Sequence, residues 1–217
     1  MLRADCVTGF ELPADILISF EAVSAPGFLN KLYNFGHFLY VMKWMPFFFW
    51  HCRECVAQPR IMNWFKALRG NQAANLPVGT AGFCWGGKYV TELCWDQTKT
   101  DDGKRLVDCG FTAHPSMLKY PGDLEMVVLP LSVAAASIDQ QMSPEQAQQT
   151  KEILTAKTAK TKDQGVEHEF VMFEGAHHGF AVRADEKQTD QARMGKEAET
   201  QAVEWFKRWF ANPPPAA

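Results

Sequence analysis

The sequence has no excess of positive charge. Its 217 residues include 22 lysines and arginines against 25 aspartates and glutamates, which gives a formal net charge of −3 and a pI near 6.1. Proteins that bind nucleic acids or anionic membranes usually carry a basic patch, so we expect neither partner. No basic stretch followed by an apolar leader comes after Met1. We therefore expect a cytoplasmic protein with reduced thiols.

A long uninterrupted apolar run is also missing. Residues 35–50 are rich in aromatic side chains, but Lys43 and Pro46 interrupt them. The run falls short of the roughly 18 to 20 apolar residues that a membrane-spanning helix needs. We predict that residues 28–68 form a helical, cap-like segment broken near Pro46 and Pro59. A role of this segment at a membrane surface or as a substrate lid is the less favoured alternative.

The cysteines lack the spacing of a metal site. Of the six cysteines, Cys52 and Cys55 form the one Cys-x-x-Cys pair, and no second pair of ligands stands near it at zinc-binding spacing. We therefore predict no metal and no cofactor. A redox role for this pair is a weaker alternative, because such motifs follow a strand and open a helix.

The chain does contain a Gly-x-Cys-x-Gly turn. Residues 78–89 read VGTAGFCWGGKY, an apolar run, a glycine-rich turn around Cys84 and then a helical pattern. This is the context of a nucleophile elbow, in which small residues such as Gly82 and Gly86 relieve crowding. The turn directs the backbone N–H of Trp85 toward the place where an oxyanion would form. A buried structural cysteine in a tight turn is the alternative interpretation.

Strand and helix patterns alternate along the rest of the chain. A polar helix capped by Ser143 follows the third apolar run, and a final helix precedes a flexible proline-rich tail at residues 212–217. The length suits one domain over residues 1–217. We predict an α/β fold with a mostly parallel sheet flanked by helices. Besides the run before Cys84, the predicted strands are residues 106–113, 129–138 and 166–173.

Reactive side chains follow each predicted strand. Cys84 comes after the first, His114 after the second, Asp139 after the third, and His177 and His178 after the fourth. Ligands of parallel sheets bind beyond the carboxyl ends of the strands, so we expect these side chains to lie close together. The order nucleophile, acid, histidine is that of the α/β-hydrolase fold. A thiol, a base and an orienting carboxylate are what nucleophilic catalysis requires.

The sequence resembles the dienelactone hydrolase family, and its fungal-type members most of all. The resemblance covers residues from about 5 to 210. Three downstream motifs carry it, and residues 9–15 (GFELPAD) are similar to a loop that follows a central strand of the family. The motifs are GFCWGG at residues 82–87, AHPS at 113–116 and HGFAVR at 178–183.

The resemblance implies an α/β-hydrolase fold and hydrolysis of small lactones or carboxylic esters, as in carboxymethylenebutenolidases. It implies a triad of Cys84, Asp139 and His178, in which the neighbouring His177 is the alternative base. Arg183 matches an arginine that can help hold a substrate carboxylate, and a surface or helix-start arginine without this role is the alternative. For His114 we expect a place in the pocket wall, where it would bind substrate or support the structure.

The sequence departs from the family at its start. Strands and a helix that precede the GFELPAD loop in the family have no match, and they carry the second oxyanion donor. We therefore expect an N-terminally shortened fold with an exposed sheet edge, as a monomer or as a homodimer that covers the edge. A truncated gene model, a real short form and an inactive remnant all fit this departure.

Two functional hypotheses follow. The first is a cysteine-dependent hydrolase, based on the ordered Cys84, Asp139 and His178. The second is a catalytically impaired homologue that serves as a binding or interaction protein. The missing N-terminal elements and the aromatic residues 35–50 favour this second hypothesis.

Overall fold

A computed structural model of the protein describes residues 34–183 and 189–214. The predicted loop at residues 9–15, the start of the helical segment at 28–33 and the end of the tail at 215–217 lie outside the described residues. The chain divides into two compact units, with the boundary between Asn63 and Trp64. The single domain over residues 1–217 stays a prediction.

Two helices form most of the predicted helical segment. Helix α1 is Phe35–His51 and helix α2 is Glu54–Gly70. The predicted breaks near Pro46 and Pro59 are wrong, because each proline lies inside a helix and the chain leaves the helical conformation between α1 and α2 instead. A proline removes a single N–H bond, so a helix can continue through it at a cost in stability. Among the described helices, none is both long and apolar enough to cross a membrane.

All four strands that the sequence predicts are present and parallel, in the order β1-β2-β3-β4. Their bounds differ from the predictions mainly at β4. There the pairing shifts between Ala136 and Ile138, and Ile138 pairs with His177. Gly175, with φ of 81°, lies in this bulge, and the strand continues to His177, beyond the predicted end at residue 173. The strands are β1 Gly79–Phe83, β2 Cys109–Ala113, β3 Leu131–Ile138 and β4 Glu169–His177.

Helices connect the parallel strands. The predicted helices after β1 and β3 and at the carboxyl end of the chain are confirmed, whereas two helices of four residues have no periodic pattern that would reveal them. The helices are α3 Trp85–Leu93, α4 Gly122–Glu125, α5 Pro144–Thr161, α6 Phe180–Arg183 and α7 Thr189–Ala211, with a 3₁₀ turn at Lys162–Gln164 after α5.

The sheet has apolar side chains on both faces. Phe111 of β2 and Phe173 of β4 pack with Trp205 and Trp209 of α7 on one face, and Ala135 of β3 packs near α5 on the other. Every residue of β2 is buried. Coverage of both faces explains why β3 reads as a nearly continuous apolar run instead of an alternating one. The described residues therefore confirm the α/β class, and they bring the carboxyl ends of the strands to one edge.

The N-terminus of α5 offers a local test of the fold. The Ser143 side chain accepts a hydrogen bond from the Gln146 N–H at 3.3 Å, and the Gln146 side chain accepts one from the Ser143 N–H at 2.9 Å. We expect Ser143→Ala to lower the free energy of unfolding by about 1 kcal/mol. Urea unfolding followed by circular dichroism measures this loss. Ser143→Asp retains an acceptor and should stay close to wild type, so equal losses in both variants would contradict the capping role.

Candidate active site

Cys84 lies in a strained turn between β1 and α3. Its φ is 50° and its ψ is −120°, a conformation that side chains rarely adopt and that costs of order 1–3 kcal/mol. Three backbone hydrogen bonds hold the turn. The Cys84 carbonyl accepts from the N–H groups of Gly87 and Ser116, both at 3.0 Å, and the Cys84 N–H donates to Ala113 at 3.3 Å. The turn is therefore fixed from both α3 and the segment that follows β2.

The glycines around Cys84 differ in what they make room for. A Cβ atom on Gly82 would lie 2.5 Å from the carbonyl oxygen of Gly86. A Cβ atom on Gly87 would collide with the hydroxyl of Thr112 and lie 2.7 Å from Cβ of Pro115. Gly86 itself has no described atom within 4 Å of its Cβ position. The expectation that Gly82 relieves crowding fits this geometry, whereas the second crowded glycine is Gly87 and not Gly86.

Asp139 and His178 form a hydrogen-bonded pair beyond the ends of β3 and β4. The Nδ1 atom of His178 lies 2.9 Å from both carboxylate oxygens of Asp139, whose side chain is 1% exposed. The imidazole is 20% exposed. A ring whose Nδ1–H donates to a carboxylate presents Nε2 for proton transfer. His177, in contrast, is exposed, and its backbone N–H donates to the side chain of Gln191 at 3.3 Å.

The thiol of Cys84 and the imidazole of His178 shift each other's pKa. Burial by itself lowers the pKa of His178, but the hydrogen bond with Asp139 and the nearby Cys84 thiol outweigh it and raise the pKa to about 9. Burial raises the pKa of the Cys84 thiol, but His178 first, and then the Ser116 hydroxyl and the Trp85 N–H, together lower it below its ordinary value. The Nε2 atom of His178 is buried and has no well-aligned hydrogen-bond partner among the described residues. The two pKa shifts favour a thiolate next to an imidazolium.

The backbone N–H of Trp85 is directed at the Cys84 sulfur. Trp85 is the first residue of α3, and the hydrogen bond from its N–H to the thiolate is one of the effects that lower the pKa of Cys84. The indole packs edge-on against Tyr89 with 4.9 Å between ring centroids. The role of the backbone N–H as oxyanion donor stays a prediction.

His114 lies behind the imidazole of His178. It is fully buried, its φ is 39°, and its N–H donates to the carbonyl of Ala134 at 2.8 Å. Its ring contacts the His178 ring edge-on with 4.9 Å between centroids and lies 5.7 Å from that of Phe180. His114 therefore packs against the candidate base. Arg183 is the last residue of α6, and its side chain lies outside the described residues.

The sequence interpretation missed Ser116. Its hydroxyl oxygen lies 3.6 Å from the Cys84 sulfur, and the residue is 4% exposed. This hydroxyl is one of the groups that lower the pKa of the Cys84 thiol. The signal was present, because Ser116 follows β2 at the same edge where the other reactive side chains were expected. A serine near a turn is so common that its type alone gave no reason to select it.

A groove of about 380 Å³ lies elsewhere, between β4 and α7. It contains none of the predicted site residues, so we do not take it for the active site. Its lining residues are Glu169, Val171, Phe173, Glu197, Gln201, Glu204, Trp205 and Arg208. Within residues 34–183 and 189–214, no group of three or more His, Cys, Asp or Glu side chains could hold a metal ion.

Sequence comparison identifies relatives for most of the chain. The profile of the dienelactone hydrolase family matches residues 50–210. Hydrolase tropI of Talaromyces stipitatus is 33% identical over 133 residues, which are 61% of this chain and 46% of that protein. The chain thus spans about half the length of this curated relative.

Comparison with solved structures supports the fold. The carboxylesterase Cest-2923 of Lactobacillus plantarum is 13% identical, with a TM-score of 0.51 over 70% of this chain and 67% of that one. MGS-M1, an α/β hydrolase from a deep-sea metagenome library, is 12% identical, with a TM-score of 0.49 over 70% and 64% of the two chains. The family match and the carboxylesterase superposition confirm the predicted α/β-hydrolase fold.

Proposed function

Because the chain belongs to the dienelactone hydrolase family, we propose that it hydrolyses small lactones or carboxylic esters with Cys84 as the nucleophile. One observation carries the proposal. The ends of parallel strands bring together a thiol in a strained turn, a histidine that shifts its pKa, and a buried carboxylate 2.9 Å from that histidine. These are the groups and roles that acyl transfer needs.

The first half of the reaction forms a thioester. The Cys84 thiolate attacks the carbonyl carbon of the substrate, a C–S bond forms, and an electron pair moves onto the carbonyl oxygen. The N–H of Trp85 stabilises this oxyanion. The oxyanion then collapses, the C–O bond to the leaving group breaks, and the leaving alkoxide takes the proton from Nε2 of His178. In a lactone the leaving alkoxide stays attached to the acyl group.

The second half releases the acid. Water attacks the thioester carbon while Nε2 of His178 accepts its proton, and the thiolate of Cys84 leaves as the C–S bond breaks. Asp139 keeps Nδ1 protonated and stabilises the imidazolium in both halves. The product is a carboxylic acid, or a hydroxy acid when the substrate is a lactone.

Substrate binding completes the proposal. We assign Arg183 to a carboxylate of the substrate, by resemblance to the family, and His114 to the wall behind His178. A small ester or lactone is the partner, and the enzyme acts in the cytoplasm as a monomer or homodimer. These assignments rest on the sequence.

Alkylation of Cys84 tests the proposal without knowledge of the substrate. Only the thiolate reacts with iodoacetamide, so a thiol with a lowered pKa reacts at lower pH than an ordinary one. The alkylation rate of Cys84 should rise with pH, with a midpoint below the value of about 8.5 for a free cysteine. Peptide mass spectrometry at several pH values measures this rate for each cysteine.

Cys55 serves as the internal reference because its thiol is exposed. At pH 6 we expect Cys84 to be labelled faster than Cys55, although Cys84 is the less exposed of the two. Labelling of Cys84 only at the pH of a free thiol would remove the support for a nucleophile. The binding-protein hypothesis would then be the better one.

A further inference from the structure

The segment that follows β2 contacts both reacting groups. Ser116 approaches the thiol, with 3.6 Å between its hydroxyl oxygen and the sulfur of Cys84. Two residues earlier, the ring of His114 packs on the ring of His178. The segment 114–116 therefore reaches the nucleophile with one side chain and the candidate base with another.

The position of Ser116 relative to Cys84 is fixed by the backbone. The Ser116 N–H donates to the Cys84 carbonyl at 3.0 Å, so the two residues are joined through main chain and side chain together. His114 and Met117 on either side have positive φ values of 39° and 61°. Such conformations persist where the surroundings hold them, and they cluster at functional sites.

Because Ser116 is buried, its hydroxyl depends on the sulfur of Cys84 for a hydrogen bond. Ser116 is 4% exposed, and a buried hydroxyl needs a hydrogen-bond partner in place of water. The sulfur of Cys84 is the partner that the described residues provide. The contact between the hydroxyl and the sulfur is itself partly buried.

The direction of the hydrogen bond follows from the charge on the sulfur. A thiolate has no proton, so the Ser116 O–H must donate to it, and a bond to a charged acceptor is stronger than one to a neutral thiol. The hydroxyl therefore favours the ionised form of Cys84. In agreement, the Ser116 hydrogen bond contributes to the lowered pKa of the Cys84 thiol.

We propose that Ser116 is a positioning residue, whose hydroxyl holds the sulfur of Cys84 as a thiolate in place beside His178. This inference rests on the proposed function and adds a fourth side chain to it. Ser116 acts on the resting nucleophile from the side of β2, whereas the Trp85 N–H contacts the resting thiolate and also stabilises the oxyanion that forms later. The proton that Cys84 loses is held by His178, so the step involves no further reactant.

Ser116→Ala tests the inference through the pH profile of Cys84 alkylation. Loss of the hydroxyl should move the midpoint to higher pH and lower the iodoacetamide rate at pH 6 by about three- to tenfold, as expected for one hydrogen bond of ordinary strength. The rate at high pH, where the thiol is ionised in either protein, should change little. Ser143→Ala is the matched control, since it removes a hydroxyl and some stability but should leave the midpoint unchanged.

Ser116→Thr separates the hydroxyl from the packing around it. Threonine keeps the O–H donor and adds a methyl group, so its midpoint should stay nearer to wild type than that of Ser116→Ala. Equal shifts in both variants would show that packing, not the hydroxyl, controls the thiol, and would overturn the inference. An unchanged midpoint in Ser116→Ala would overturn it as well.

The His178→Ala background distinguishes a direct effect from an indirect one. If Ser116 acts on the sulfur itself, adding Ser116→Ala to this background should raise the midpoint again. A shift that disappears would mean that Ser116 acts through the imidazole, against the inference. Failure of the proposed function has a different signature, because the wild-type Cys84 would then ionise like a free cysteine.

Discussion

Replacing Cys84 with alanine is expected to lower hydrolysis of a chromogenic ester such as p-nitrophenyl acetate by about 10⁴-fold or more. Alanine removes the sulfur atom that forms the bond to the substrate. Neither the hydroxyl of Ser116 nor the imidazole of His178 occupies the position of that sulfur, so neither can replace it. The Trp85 N–H and the binding surface would remain, so a small residual rate above that of water alone is expected. Initial rates at matched protein concentration measure the loss.

Cys55→Ala is the control for this experiment. It removes an exposed thiol outside the candidate site, so we expect the rate of the wild-type protein. Mass spectrometry of the wild-type protein mixed with ester should also detect an acyl group on the peptide that contains Cys84. Turnover that survives in Cys84→Ala at the wild-type rate would disprove the cysteine mechanism.

Asp139→Asn is expected to lower the same activity by about 10³- to 10⁴-fold while the protein stays folded. The carboxylate receives the Nδ1–H of His178 at 2.9 Å on both oxygens. An amide can instead donate to Nδ1 and place the proton on Nε2, which is the wrong tautomer for a base. The pKa of His178, now about 9, should fall because the hydrogen bond and charge that raise it are lost.

The pH profile identifies this cause. With the pKa of His178 lowered, the imidazolium that stabilises the thiolate loses its proton at lower pH, so the alkylation midpoint of Cys84 should rise toward that of a free cysteine. Asp163→Asn changes an exposed carboxylate in the 3₁₀ turn and should alter neither rate nor midpoint. A large loss of activity with an unchanged midpoint would indicate that Asp139 does not act through His178.

Local patterns made much of the fold predictable. Ser143 and Pro144 identify the start of α5 because capping depends on a few neighbouring residues, and the structure has the full capping box there. β3 was recognisable because burial on both faces leaves a nearly continuous apolar run. The breaks assigned to Pro46 and Pro59 were wrong, since the cost of one lost hydrogen bond does not determine where a helix ends.

The site was predictable to the extent that it depends on strand ends. Cys84, Asp139 and His178 each follow a strand, and parallel strands bring such positions to one edge. Ser116 and Gly87 were missed because their importance arises from contacts between segments far apart in sequence. The proximity of Ser116 to a sulfur and the crowding of Gly87 against Thr112 exist only after α3 has packed on β2.

The glycines of the elbow also limit which substitutions the sequence can accept. A Cβ atom at position 82 would collide with Gly86 and Val90 of α3, and one at position 87 would collide with Thr112 and Pro115, so a side chain at either position requires the elbow to shift. Position 86 has open space among the described residues and lies in a helix, where alanine is favoured over glycine. Position 86, two residues from the nucleophile, can therefore accept other side chains while Cys84 keeps its geometry.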